Sequence, residues 1–362
     1  MRIENVYAKI REQKEKQLPF VIYRKPDATQ LEVLLQNNNT LYEIEDYSSS
    51  GFVFAPFDTS KKAILSPFAH SNRFRVSIPN KNIEKNEEFL AEISGLSDTT
   101  NNQVNHIRLV EKGIKAIALN DLRKVVLSRQ EKISGFTSLD SLHMFRKLID
   151  NYSKAFVYYW YHPKVGTWLG ATPETLLEIK DDQFSTMALA GTQPYKIDNP
   201  IEWESKELEE QEMVTKFILD ELSQIANDIV SSKTYTHRAG TLLHLRTDIK
   251  ARLVAGKSRI ENIINILHPT PAVCGLPKEK ARSFILQHEG YDRKFYTGFL
   301  GELNLETQEQ VASNLFVNLR CMEIVRDKAI LYVGGGITKD SVPEKEWRET
   351  VNKTETMKKV LF

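Results

Sequence analysis

Glu346, Glu349 and Lys353 fall three and four residues apart in the last stretch of the 362-residue chain, so on a helix they share one face. Before them come Leu331-Tyr332-Val333, the glycines Gly334, Gly335 and Gly336, and a polar segment through Ser341 and Pro343. The pattern predicts an apolar strand that breaks at the glycines, then a helix with Ser341 as N-cap and Pro343 in its first turn. A glycine turn can bring bare backbone N–H groups close to an anion. Two carboxylates beside it would repel that anion unless a cation lay between them. One reading is therefore a divalent metal bridging protein carboxylates and an anionic ligand. The other is a solvated helix carrying i,i+3 and i,i+4 charge pairs.

Glu204, Glu207 and Glu210 share a face in the same way, in the most acidic stretch of the sequence, Glu202–Glu210. Such runs are commonly solvated surface. Lys124 opens the run Lys124-Val125-Val126-Leu127-Ser128-Arg129, where strand alternation puts Lys124, Val126 and Ser128 on one side. A lysine there is an edge residue, an ion-pair partner or a desolvated amine able to act as a base. Thr172-Pro173-Glu174 places an acidic residue at a strand end. His244, within Leu242-Leu243-His244-Leu245, reads by default as a hydrogen-bonded core histidine.

The elements that must position these groups follow from periodicity. Met1–Lys16 is a charged helix without the apolar core of a signal peptide. Strands are expected at Pro19–Tyr23, Leu31–Leu35, Gly51–Phe57 and Ala63–Ser66, with a turn at Asn37–Asn39. Lys81–Asn102 is polar and marks the weakest boundary. A helix is expected over Ile107–Leu122, the Lys124 strand next, an amphipathic helix over Leu139–Ile149, and strands at Phe156–Trp160, Gly166–Ala171 and Thr186–Thr192. The acidic run continues into a helix through Met213, Phe217, Ile218 and Leu222. Three further strands are expected at Phe295–Leu303, Asn314–Val325 and Ala329–Val333. Helices inserted between groups of antiparallel strands predict an α+β layered fold, not a parallel α/β sheet.

With 49 basic and 48 acidic residues, the net charge of +1 creates no field that would select nucleic acid or an anionic membrane. No apolar run reaches the roughly 18 residues of a membrane span. Cys274 and Cys321 are the only cysteines, which excludes a cysteine zinc cluster and fits a reducing cytoplasm. Gly256-Lys257-Ser258 resembles the end of a P-loop, but Ala251 stands where that motif requires glycine. Gly334–Gly336 fails the dinucleotide pattern, because Lys339 takes the place of the third glycine.

Several stretches in order carry a resemblance: Lys124–Arg129, Gly170-Ala171-Thr172-Pro173-Glu174, Ala190-Gly191-Thr192, Leu267-His268-Pro269-Thr270-Pro271-Ala272, Leu319-Arg320-Cys321, Gly334–Ile337 and Glu346–Thr350. Together they resemble the chorismate-utilising enzymes: isochorismate synthases, salicylate synthases, and the large subunits of anthranilate and aminodeoxychorismate synthases. The resemblance spans about residues 104 to 362. It implies one large domain of two packed, mainly antiparallel sheets with outer helices, of which residues 1–103 would be the strand-rich N-terminal part.

The resemblance implies that Glu210 and Glu349 are ligands of Mg²⁺, with Glu207 and Glu346 in its shell, and that the metal holds the ring carboxylate of chorismate. Arg320, Tyr296 and the backbone of Gly334 and Gly336 would receive the pyruvyl carboxylate, with Lys353 adding positive charge near the metal. Gly191 and Thr192 would form the floor, with His244, Ala272 and Leu319 also binding substrate. Lys124 would be the base that activates water and Glu174 the acid.

Three positions select among reactions. Anthranilate synthases carry glutamine at position 124, aminodeoxychorismate synthases a nucleophilic lysine at 190, and salicylate synthases tend to threonine at 272. Lys124, Ala190 and Ala272 thus imply an isochorismate synthase. It would act as a cytoplasmic monomer without a glutaminase subunit, membrane or nucleic acid, and its product would supply a quinone such as menaquinone or a catechol siderophore. The alternatives are a salicylate synthase and a catalytically silent chorismate-binding paralogue. Two positions depart from relatives: Gln211, often histidine, and Gln193, often arginine.

Overall fold

The computed structural model describes residues 2–78, 99–134, 140–195, 201–239, 242–254, 260–308 and 310–362. Most of the polar boundary expected at Lys81–Asn102, and the P-loop look-alike at Gly256–Ser258, lie outside these residues. Strand Phe156–His162 shows how the layers arise. Its seven residues, Phe-Val-Tyr-Tyr-Trp-Tyr-His, are all buried, because both faces are covered. Phe156, Tyr158 and Trp160 point into an aromatic layer between two sheets. Val157, Tyr159 and Tyr161 point outward into a second core beneath the helices Ile3–Glu15 and Ser141–Asn151.

In the first sheet the described strands run, in spatial order, Gly275–Leu276, Lys124–Ile133, Lys328–Ile337, Cys321–Val325, Gly166–Thr172, Phe156–His162, Phe20–Arg24, Gln30–Gln36 and Ser71–Ser77. In the second the order is Ala226–Ser231, Leu242–Leu253, Gln183–Pro194, Thr175–Lys180, Val311–Val317, Phe299–Glu306, Gly51–Ala55, Ala63–Pro67 and Tyr42–Ile44, with Tyr235–Ala239 also pairing on Leu242–Leu253. Neighbouring strands are antiparallel throughout. The N-terminal strands are woven in: Phe20–Arg24 pairs with Phe156–His162, and Gly51–Ala55 with Phe299–Glu306. Between the sheets Phe156 stacks on Phe316 and Phe54 on Phe295, each with ring centroids 4.2 Å apart. Such pairs add about 0.5–1.5 kcal/mol each beyond the area they bury. The outer face of the second sheet is closed by helices Ser205–Leu222 and Ile260–Leu267.

Four local expectations are corrected. Gly334–Gly336 do not break the strand; they lie inside Lys328–Ile337 and pair with Ser128, Leu127 and Val126. Asn314–Val325 is two strands in different sheets, and the chain crosses between them at Asn318–Arg320, with Arg320 at φ +48°. Buried Asn318 fixes this crossing: Tyr158 Oη donates to its Oδ1 at 2.6 Å and its Nδ2 donates to the Phe295 carbonyl at 2.9 Å. Phe295–Gly298 is a turn leading into strand Phe299–Glu306. The C-terminal helix Pro343–Leu361 has Pro343 in its first turn as expected, but Val342 is the N-cap. Ser341 instead turns inward, its Oγ accepting from the Thr338 N–H at 3.1 Å.

Candidate active site

Lys124–Ile133 alternates as its sequence requires. Val125 and Leu127 enter an apolar cluster under the helices Thr99–Ala118 and Lys278–His288, which leaves Lys124, Val126 and Ser128 on the opposite side. That side faces a cleft between the sheets, of about 750 Å³ counted to its open mouth. The second sheet supplies Leu189–Thr192 and His244, and the crossing loop supplies Leu319 and Arg320. Ala272, Tyr296, Glu174, Gly334 and Gly336 also line it, as do Glu210 from the helix Ser205–Leu222 and Glu349 and Lys353 from the C-terminal helix. Most residues singled out from the sequence therefore meet on one surface. Lys124, Glu207 and Glu346 stand just behind it.

The glycine run serves this wall by omission. A Cβ on Gly336 would fall 2.5 Å from Glu210 Oε1 and 3.2 Å from Lys124 Cε, and one on Gly335 would fall 3.3 Å from Glu349 Oε1. The carboxylates pack over a strand whose lack of side chains admits them. Gly191, at φ +69°, plays the same part for the acidic helix: its Cβ would meet Glu207 Cβ at 3.1 Å.

At this end Glu210, Glu346 and Glu349 have each drawn a lysine. Lys124 Nζ, fully buried, lies 2.9 Å from Glu210 Oε1, off hydrogen-bond alignment. Burial alone would raise the Glu210 carboxyl, but the charges of Lys124, Lys206 and Lys353 hold it below the ordinary range. Lys206 Nζ donates to Glu346 Oε1 at 2.6 Å, and Lys353 Nζ to Glu349 Oε1 at 2.6 Å and to the Gly334 carbonyl at 3.0 Å. Glu346 is 2% exposed, yet its Oε2 has no hydrogen-bond partner. Burial, then the charge of Glu349, raises its carboxyl in spite of Lys206. Burial raises Glu207 as well. An orphaned buried carboxylate oxygen beside a second carboxylate suits a hard cation with oxygen ligands, so the donor set fits Mg²⁺ in kind. No three donors close on a common point among the described residues.

The other end is organised differently. Burial, reinforced by the charges of Arg320 and Lys353, pushes His244 well below its usual range, so the ring is neutral. The carbonyl of Gly191 can only accept, so Nδ1 carries the proton and donates to it at 2.9 Å, while Nε2 accepts from Arg320 Nη2 at 3.0 Å. Arg320 has no carboxylate within ion-pair distance among the described residues. A desolvated guanidinium whose neighbour is a neutral imidazole is an anion site in waiting. Between the two ends sits Glu174, 4% exposed. Burial lifts its carboxyl to about 8 against the downward pull of Lys124, Arg320 and Lys353, so near neutral pH it holds a proton it can donate.

Sequence reasoning missed Lys206, which stands one helical turn before Glu210, and the wall residues Val126, Val273 and Thr297. The i,i+4 spacing from Lys206 to Glu210 was the available signal. Gln211 belongs to the buried stripe of its helix, with Val214, Ile218 and Leu222. Its Nε2 donates to the Ala188 carbonyl at 3.0 Å and to Thr247 Oγ1 at 3.1 Å, so glutamine here ties the acidic helix to the sheet below.

Two antiparallel sheets enclose a cleft with an arginine free of carboxylates among the described residues at one end and lysine-neutralised carboxylates at the other, an arrangement suited to a small molecule with an anionic group. The chain belongs to the chorismate binding enzyme family, whose sequence model matches residues 53–362 and so reaches well into the N-terminal strands. It is 29% identical over 259 residues to isochorismate synthase EntC of Escherichia coli (strain K12), covering 69% of this chain and 65% of that protein. It is 30% identical over 267 residues to isochorismate synthase DhbC of Bacillus subtilis (strain 168), covering 68% of this chain and 65% of that protein. The chain thus spans just under two thirds of the length of these curated relatives. The fold is similar to that of MenF, the menaquinone-specific isochorismate synthase of Escherichia coli, with a TM-score of 0.78 over 95% of this chain and 89% of that one, at 23% identity. Among the described residues no helix is long and apolar enough to cross a membrane.

Proposed function

We propose that the chain is an isochorismate synthase, converting chorismate to isochorismate by addition of water at C2 and loss of the C4 hydroxyl. The observation that carries this reading is Glu174: a buried carboxyl, protonated near neutral pH, in the same cleft as the guanidinium of Arg320. Arg320 receives the pyruvyl carboxylate, and its geometry is already fixed by His244. Lys124 takes a proton from water as the C2–O bond forms. The ring double bonds shift, the C4–O bond breaks, and the leaving hydroxyl takes the proton of Glu174 and departs as water. One water enters and one leaves, so the change is an isomerisation. General acid–base assistance of this kind is worth about 10²–10⁴ in rate. Ala190 and Ala272 support this reading over amination or pyruvate loss, since neither offers a nucleophile or a further proton carrier.

Glu210 and Glu349, with Glu207 and Glu346 beside them, would hold Mg²⁺, which when bound supplies positive charge for the ring carboxylate. Lys353 adds charge at the same end, and Gly191, Thr192 and Leu319 shape the space between.

The test is product analysis of the purified protein with chorismate, with and without Mg²⁺. Isochorismate in equilibrium with chorismate, formed only with the metal, is expected. Salicylate and pyruvate would replace this reading with a salicylate synthase, an aminated product formed with ammonia would overturn the role of Lys124, and tight binding without turnover would indicate a silent paralogue.

A further inference from the structure

Behind the cleft lies a polar cluster that the reaction above does not use. Arg293, 2% exposed, spends all five N–H donors inside the protein. Nη1 donates to the Val273 carbonyl at 3.0 Å and to Thr297 Oγ1 at 3.1 Å. Nη2 donates to the Val126 carbonyl at 2.7 Å and to Glu289 Oε1 at 2.5 Å, and Nε to Glu289 Oε2 at 2.7 Å. Glu289 Oε1 in turn accepts from the Ser128 backbone N–H at 2.7 Å and from Ser128 Oγ at 2.9 Å, and Tyr291 Oη lies 2.6 Å from that Oγ. Phe57 covers the guanidinium at 4.4 Å.

These bonds fall where a strand runs out. Gly275–Leu276 pairs with Lys124 and Val125 only, and the Val126 N–H reaches the Cys274 carbonyl at 2.8 Å. Beyond that point the Val126 carbonyl and the Ser128 N–H have no backbone partner on this edge among the described residues, and the Arg293–Glu289 pair supplies the missing donor and acceptor. The pair stands in for a strand. It also joins three wall positions, Val126, Val273 and Thr297, that flank Ala272 and Tyr296.

We infer that Arg293 and Glu289 are positioning residues: they fix the strand that carries Lys124 against the Ala272–Val273 and Tyr296–Thr297 walls, and so set the placement of the amine against the ligand ring without touching the ligand. The inference rests on the reading of Lys124 given above. Arg320 and Lys353, which meet the anionic ends of the ligand, have no bond to the pair, so loss of the pair should disturb the reacting geometry and leave ground-state binding largely intact. A misplacement of about 1 Å can cost about 10²-fold in rate.

Steady-state kinetics on chorismate with Mg²⁺ should therefore show kcat lowered about 10²-fold in Glu289→Gln and Arg293→Met, with KM within about threefold of wild type. Arg293→Ala should recover part of its kcat when guanidinium chloride is added at millimolar concentration. Hydrogen exchange of residues 124–128 in the same variants reads the strand itself, and exchange should quicken in both. Unchanged kcat, or a rise in KM matching the fall in kcat, overturns the inference. So does a variant whose rate falls while exchange over 124–128 stays at the wild-type level. If the wild type does not turn chorismate over, the functional reading has failed; exchange then decides the positioning role alone, with wild-type protection in both variants overturning it.

Discussion

The two ends of the cleft solve the problem of buried charge in opposite ways. At the Arg320 end, His244 is neutral, its tautomer is fixed by the Gly191 carbonyl, and the guanidinium has no carboxylate of its own among the described residues. That end is ready for an anion before any ligand arrives. At the carboxylate end, Glu210, Glu346 and Glu349 hold Lys124, Lys206 and Lys353 as internal counter-ions. A cation bound there must displace contacts that already exist. The contrast teaches that a preorganised site keeps one charge uncompensated, whereas a site that exchanges partners must be neutral in its resting state, because several unpaired buried carboxylates would be too costly.

The largest effect is expected at the acid lying between the ends. Glu174→Gln should lower kcat by about 10²–10⁴. Only the protonated carboxyl can donate, so the wild-type rate should fall as pH rises through about 8, and this limb should be missing from whatever rate the variant retains. The same shift bears on stability. The folded chain keeps this proton up to about 8, whereas the unfolded chain releases it near the ordinary carboxylate value, so the contribution of Glu174 to stability declines as pH rises from about 4.5 to 8. A rate profile flat across pH 8 in the wild type would remove Glu174 as the acid.

Next in size is Arg320→Met, which removes a charge-assisted contact worth about 1.5–3 kcal/mol. Calorimetry should show chorismate binding weakened by about 10–10²-fold and Mg²⁺ binding without ligand unchanged; a parallel loss of metal affinity would merge the two ends that the comparison separates. The smallest effect is expected at Lys206→Met. Freeing Glu346 of its ammonium partner should tighten Mg²⁺ binding, since the metal then no longer competes with Lys206 for Glu346 Oε1. Weaker metal binding in that variant would mean that Lys206 shapes the site and does not compete for it.

How far the site was legible depended on whether its parts were local. The spacing of Glu346, Glu349 and Lys353 placed them on one helical face, and the alternation of Lys124 and Val126 set them on one side of a strand; both follow from the fixed periods of the two structures. The ordered motifs identified the family, and the family match extends that resemblance to residues 53–362. Misreadings came where local propensity met a distant partner. Glycine runs weaken isolated strands, but here Lys124–Ile133 pairs along the run and the carboxylates of two helices occupy the space its side chains would have filled. Asn314–Val325 reads as one strand because its residues alternate well enough for one; the exchange of sheets at Arg320 rests on Asn318 meeting Tyr158 and Phe295, which lie elsewhere in the sequence.

By itself, then, the sequence determined the α+β layering, the helical faces that carry acids and bases, and membership of a family, because each is written in periods and motifs a few residues long. The tertiary structure alone decided that Glu174 is buried deeply enough to keep its proton, that Arg320 has no carboxylate partner among the described residues while three glutamates acquire lysines, and that Arg293 and Glu289 complete a strand edge beside Lys124. Those outcomes depend on burial and on partners brought together from separate strands and helices, and neither quantity is a property of any local stretch of chain.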